Sequence, residues 1–144
     1  MRSVLANVTC VSVEGRGLLI RGIPGSGKSS LALALIDRGA TLIGDDGVTL
    51  MPESGALVAS PPPNIAGLIE IRNVGLVRMP VTSAPLALVI ALDTDAPRFP
   101  AKLETTSIGS HSLPLIQLDP RLPQLALRAE WALRVHGLTP GQKQ

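Results

Sequence analysis

Aromatic side chains are almost missing from this chain of 144 residues, which has one Trp, one Phe and no Tyr. Proteins that hold single-stranded nucleic acid rely on aromatic faces for stacking. Duplex binders need a clustered basic surface, whereas 13 Lys and Arg are scattered here against 11 Asp and Glu, for a formal charge of +2. Nucleic acid is therefore not an expected partner. Cysteine is reduced to Cys10, so an internal disulfide is excluded, and its apolar neighbours Val8, Val11 and Val13 mark a small buried hydrophobe. Long hydrophobic runs are lacking too. The most apolar stretch, Leu86 to Leu92, is far shorter than the roughly 20 residues that cross a bilayer, and the N-terminus has no signal-peptide run. The expectation is no membrane partner and a cytoplasmic setting, where the formal sequon at Asn7-Val8-Thr9 has no consequence.

What is present fits a single domain over residues 1–144, since 45% hydrophobic residues suffice for a core without metal or disulfide support. Val8 to Glu14 and Gly17 to Arg21 read as strands joined at Gly15. Lys28 to Arg38 reads as a helix stopped by Gly39, and Ala40 to Gly44 as a strand ending at Asp45-Asp46. A hairpin is expected from Val48–Met51 and Ala56–Ala59 about Glu53-Ser54-Gly55, followed by a stiff Pro61-Pro62-Pro63. Further strands are expected at Leu68–Arg72, Val77–Val81, Leu86–Leu92 and Leu113–Leu118, with a polar loop over Asp93 to Pro100. Pro123 to Val135 closes the chain as a helix whose apolar positions include Leu125, Trp131 and Val135.

Between the second strand and the first helix stands GIPGSGKSS, residues 22 to 30. Gly22, Ile23, Pro24, Gly25, Ser26, Gly27, Lys28 and Ser29 complete the pattern G-x-x-x-x-G-K-[ST]. In such a loop, glycines let backbone N–H groups approach a phosphate, and the helix N-terminus adds a favourable dipole. Lys28 would offset phosphate charge and Ser29 would hold Mg²⁺. A purely structural glycine turn explains Lys28 poorly, because a cation at a helix start opposes the dipole unless an anion arrives. A nucleotide with Mg²⁺ is thus the expected cofactor.

Asp45 and Asp46 lie 17 and 18 residues beyond Lys28, so the helix and the next strand return them to the carboxyl edge of the sheet beside the loop. One acid can serve the metal and the other can accept a proton; the bland alternative is a solvated Asp-Asp-Gly turn. In Glu70-Ile71-Arg72, strand alternation puts both charges on one face, either pairing with each other or entering a polar site.

GIPGSGKS at 22–29, LALALIDRGATLIGDD ending in the paired acids, and IEIRNVGLV at 69–77 together resemble the catalytic domain of HPr kinase/phosphorylase. That bacterial enzyme phosphorylates and dephosphorylates a serine of the phosphocarrier HPr. The likeness runs from about residue 7 to about residue 135. It implies an α/β fold of the phosphoenolpyruvate-carboxykinase-like P-loop type, with a strand-rich mixed sheet, a helix after the phosphate loop and a C-terminal helix. It also implies Lys28 on the nucleotide phosphates, Ser29 on Mg²⁺, Asp46 as proton acceptor and donor, Asp45 near the metal, Glu70 as second metal ligand and Arg98 as a catalytic arginine. The implied partner is an HPr-type phosphocarrier of sugar-uptake regulation, and the implied assembly is a homo-hexamer.

Several residues depart from the family pattern. Asn7 stands where the family has a histidine and cannot titrate near neutral pH. Pro97 replaces the acid before Arg98, Asn73 interrupts the E-I-R-G signature, and Ser30 follows the metal-binding serine where many members have an acid. The late basic motif is reduced to Leu118-Asp119-Pro120-Arg121, leaving Arg121 as a phosphate contact. The short form of the family, without an N-terminal domain, is the nearer resemblance. Two other functions compete: a nucleotide-binding sensor that has lost transfer, and a small-molecule kinase.

Overall fold

A strand buried on both faces must be apolar at every position, and Ala84–Leu92 (β9) is the segment that meets this demand. From Leu88 on, alternate residues of β9 serve two different cores; before it, a register shift against the neighbouring strand at Gly17/Leu18 puts Leu86 in the core of Val89 and Ala87 in that of Leu88. Leu88 and Ile90 join Val11, Leu18, Ile20 and Leu42 beneath the helices, while Val89 joins Cys10, Leu19, Ile43 and Val48 on the other face. The same period of two sorts Leu18, Leu19 and Ile20 of the neighbouring strand. In the computed structural model, which describes residues 2–64 and 66–139, the elements preceding β9 are Ser3–Ala6 (β1), Thr9–Val13 (β2), Arg16–Arg21 (β3), Lys28–Asp37 (α1), Thr41–Gly44 (β4), Gly47–Glu53 (β5), Ala56–Ser60 (β6), Leu68–Ile71 (β7) and Gly75–Arg78 (β8). After β9 come Glu104–Ile108 (β10), His111–Leu118 (β11) and Leu125–His136 (α2).

The main sheet is mixed and runs β1-β5-β6-β9-β3-β2-β4, with β11 and then β10 branching from β9. Its parallel strand pairs are β3–β9 and β9–β11, so the carboxyl ends of these three strands point the same way. Helix α1 follows β3 through the glycine loop and packs Leu31, Ala32 and Leu35 inward. Helix α2 lies beside α1, linked by the Arg38–Glu130 ion pair at 2.8 Å. A separate β7–β8 hairpin stands by α1. Among the described residues, no helix is long and apolar enough to cross a membrane.

Two expected hairpin turns form with the backbone their residues favour. Glu14-Gly15 and Ser54-Gly55 each place two successive residues at positive φ, the geometry that matches strand twist in two-residue loops. Other expectations need correction. Val77–Val81 is not the strand; β8 starts at Gly75 and ends at Arg78, since the tight turn after β7 sets the register from Ile71↔Gly75 onward. Strands β1 and β10 were not expected. Both present mostly exposed residues and obtain their order from pairing with β5 and β11. On α2 the inward residues are Ala129, Ala132 and Leu133, whereas Trp131 and Val135 are 52% and 65% exposed. Trp131 instead carries the Arg134 guanidinium over its ring, 4.6 Å from the centroid.

The C-terminal end of α2 is anchored by one side chain from β3. Arg16 donates through Nε to the Leu138 carbonyl at 3.0 Å and through Nη2 to that of Leu133 at 3.1 Å. The Leu133 carbonyl also accepts the Gly137 amide at 2.9 Å, so Arg16 adds a charge-assisted second bond there and fastens Leu138, beyond the helix, to β3. Arg16→Met is therefore expected to lower stability by about 1–3 kcal/mol, read as a lower urea midpoint with an unchanged slope.

Candidate functional site

The loop between β3 and α1 leaves the first amides of α1 without side-chain caps, because the residue before the helix is Gly27 at φ 105. An L side chain is strained there, and the space beside Gly27 is open. Gly22 is required for a different reason. A Cβ at that position would lie 2.5 Å from Ser26 Oγ. Ser26 Oγ is itself buried without a hydrogen-bond partner, the mark of a group waiting for a ligand or solvent. Uncapped amides, open space and an orphan hydroxyl together fit a phosphate group.

Lys28 closes the loop on itself. Its ammonium donates to the Gly22 carbonyl at 2.8 Å and to the Ile23 carbonyl at 3.4 Å. Next to it, Ser29 Oγ donates to Asp45 Oδ1 at 2.7 Å. The same oxygen accepts a bond from Thr9 Oγ1 at 3.1 Å, and the Glu70 amide lies 3.4 Å from Oδ2. Asp45 is thus a half-buried hub joining β2, α1 and β7. Thr9 carries no motif and reads in the sequence as an ordinary strand residue. Its one signal, shared with Ser12, is a buried hydroxyl in a mostly apolar inner strand, which burial obliges to find a partner.

Asp46 differs from its neighbour in every respect that matters for chemistry. It is exposed, and among the described residues none donates to its carboxylate. Its backbone is left-handed at φ 63, as is that of Asn7 at φ 65, and the Asn7 amide donates to the Asp46 carbonyl at 3.2 Å. At these two residues β1 gives way to β2 and β4 to β5, side by side. Asn and Asp tolerate this conformation better than other non-glycine residues, which supplies a structural reason for Asn7.

A cleft of about 720 Å³ collects Lys28, Ser29, Asp45, Asp46, Glu70 and Arg72, with Gly25 and Gly27 on its floor. Glu70 and Arg72 both line it and do not pair; among the described residues the ion pairs are Arg38–Glu130 and Arg121–Asp119. Gly22, Ile23 and Ser26 line a second cleft on the other side of the loop, and Pro24 and Gly25 belong to both. Arg98 lies exposed in the 93–100 loop and lines neither cleft. The potential metal ligands in the first cleft, Ser29, Asp45, Asp46 and Glu70, all offer oxygen. Among the described residues no three His, Cys, Asp or Glu side chains cluster as a metal cage. Such a set fits Mg²⁺, which is usually held by one or two protein oxygens together with substrate phosphates.

Arg121 does not extend freely as an anion contact. It donates through Nε and Nη2 to both oxygens of Asp119, at 3.1 and 2.9 Å, and through Nη2 to the Thr94 carbonyl at 3.1 Å. These bonds hold the Asp119 carboxyl below the usual carboxylate range. A depressed folded-state value stabilises the fold above the ordinary carboxylate pKa of about 4, and that contribution is lost as pH falls through the lowered value. Arg121→Met is expected to abolish this part of the acid limb, seen as a smaller drop in melting temperature between neutral and strongly acidic pH.

The family model for "HPr Serine kinase C-terminal domain" matches residues 2–83. An HPr kinase/phosphorylase of Clostridium botulinum is 45% identical over 67 residues, which are 46% of this chain and 22% of the relative. One from a Geobacillus species is 47% identical over 70 residues, 48% of this chain and 22% of the relative. The aligned part thus spans about a fifth of the length of these relatives. A solved structure of the HPr(Ser) kinase/phosphatase from Coxiella burnetii superimposes with a TM-score of 0.80 at 30% identity, covering 93% of this chain and 90% of that one.

Proposed function

Because the chain belongs to the family of HPr serine kinase C-terminal domains, we propose that it is an ATP- and Mg²⁺-dependent protein-serine kinase acting on an HPr-type phosphocarrier, with phosphorylase activity in reverse. The observation that carries this reading is the company Asp46 keeps. A carboxylate that is exposed, and unpaired among the described residues, stands in one cleft with Lys28, Ser29 and Asp45. The glycine loop serves as a P-loop in a phosphoenolpyruvate-carboxykinase-like core, and a cytoplasmic setting follows from the substrate.

In the forward reaction the serine oxygen attacks the γ-phosphorus while the bond to the β,γ-bridging oxygen breaks, and ADP leaves. Asp46 accepts the serine proton. In reverse, an oxygen of inorganic phosphate attacks the phosphoserine phosphorus, pyrophosphate leaves, and Asp46 returns the proton to the serine oxygen. Lys28 offsets phosphate charge, and the α1 amides orient the phosphates for in-line attack. Ser29, Asp45 and Glu70 would hold Mg²⁺, which supplies charge neutralisation on the phosphates. Arg98, assigned by the motif resemblance, would add positive charge from its exposed loop.

The deciding experiment incubates the protein with ATP, Mg²⁺ and a purified phosphocarrier and resolves phosphoserine on a phosphate-affinity gel. Phosphoserine formation is expected. Nucleotide binding without transfer would reject the kinase reading in favour of a sensor, and ATP consumption with metabolites alone would favour a small-molecule kinase.

A further inference from the structure

The phosphate cradle accounts for one end of a nucleotide and leaves the other unplaced. Strands β3, β9 and β11 are parallel, and their carboxyl ends deliver Arg21, then Asp93 and Thr94, then Pro120 and Arg121 to one edge. Ligands of open α/β sheets bind at such an edge. Here it forms the second cleft, about 780 Å³, which meets the first at Pro24 and Gly25.

The chemistry of this cleft differs from that of the first. Ile23, 76% exposed, faces it together with Leu92 and Pro120, so much of its wall is aliphatic. Its two arginines are already engaged: Arg121 on Asp119 and the Thr94 carbonyl, Arg21 on Thr106 Oγ1 at 3.3 Å. Asp119 neutralises Arg121, and the Asp93 carboxylate offsets the charge of Arg21 within the same cleft, so a multiply charged anion would find no net positive charge there. Asp93 accepts the Asp95 amide through Oδ1 at 2.8 Å, leaving Oδ2 for a hydroxyl donor, and Asn7 also lines the cleft. An uncharged group with a flat apolar part and hydroxyls suits these walls.

We infer that the second cleft is the nucleoside site, taking the base against Ile23, Leu92 and Pro120 and offering Asp93 to the ribose hydroxyls. The inference rests on the proposed nucleotide reading of the glycine loop and adds where the nucleoside lies. With no aromatic residue in the cleft, contact with the base is aliphatic packing, so the nucleoside contributes area and not stacking.

Calorimetric titration of the whole chain with pyrophosphate and with ADP, both with Mg²⁺, separates the two ends. The wild type is expected to bind ADP at least about tenfold more tightly than pyrophosphate, equivalent to about 1.4 kcal/mol. Thr94 is exposed and its side chain has no part in the Arg121 contact, so Thr94→Trp fills the cleft mouth without touching the core. That variant is expected to lose about tenfold in ADP affinity and none for pyrophosphate, and Thr94→Ser to bind both as wild type does. Equal wild-type affinities for ADP and pyrophosphate would overturn the nucleoside site while leaving the cradle intact. Equal losses of both ligands in Thr94→Trp, or no loss of either, would overturn it as well. Failure of the wild type to bind pyrophosphate would remove the cradle reading itself and this inference with it.

Discussion

Lys28→Ala is expected to abolish phosphoryl transfer and to weaken Mg–ATP binding by about 10²–10³-fold, the loss typical of removing one preorganised charge-stabilising donor. Without an anion, the ammonium is held by the Gly22 and Ile23 carbonyls of its own loop. It also sits at the first position of α1, where the helix dipole opposes a cation. A positive charge kept at an unfavourable place, and bonded among the described residues only to the carbonyls of the cradle, is poised for phosphate oxygens. The same argument predicts that the variant folds as well as the wild type, because the removed charge does not support the helix. Calorimetry with ADP and thermal melting would check both halves. Unchanged nucleotide affinity would reject the cradle assignment, and a large fall in melting temperature would show Lys28 to be structural.

The loop was legible because its glycines and lysine form a contiguous pattern whose context, strand before and helix after, also reads from local apolar periodicity. The two-faced strands were legible for the same reason, as in β9. What escaped depends on distance along the chain. Strands β1 and β10 carry few buried residues and are ordered by partners more than 40 residues away, for β1, and by the turn into β11, for β10. The exposed Trp131 and Val135 mislead because apolar spacing marks a stripe without saying which of two stripes faces the core. Thr9 was invisible as a site residue, since only the return of β4 beside β2 brings Asp45 to its hydroxyl. The meeting of Asn7 and Asp46 is likewise a product of the strand crossing, although Asn at a left-handed position is a local preference.

The paired acids provide the sharpest separation of roles. Asp46→Asn is expected to lower turnover by about 10²–10⁴-fold, the range for loss of a general base, with nucleotide affinity nearly unchanged. Its carboxylate is exposed and carries no described donor, so the amide replaces a free acceptor and disturbs no existing bond. Asp45→Asn should behave in the opposite way. Asp45 accepts from Ser29 and Thr9 through one oxygen and faces the Glu70 amide with the other. An amide there must turn an NH₂ toward at least one donor, which breaks part of the hub and misplaces Ser29 and β7. The expected signature is a higher Mg²⁺ requirement and a lower melting temperature, with transfer recovering in part at high Mg²⁺. Transfer assays over a Mg²⁺ series, run on both variants, test the division directly. If Asp46→Asn responds to added Mg²⁺ and Asp45→Asn does not, the two roles are exchanged, and the three bonds to Asp45 would instead orient a general base. In that case the conservative Thr9→Ser should keep turnover while Thr9→Val lowers it, because the hydroxyl at position 9 is one of the three donors that fix the direction in which the Asp45 carboxylate accepts a proton.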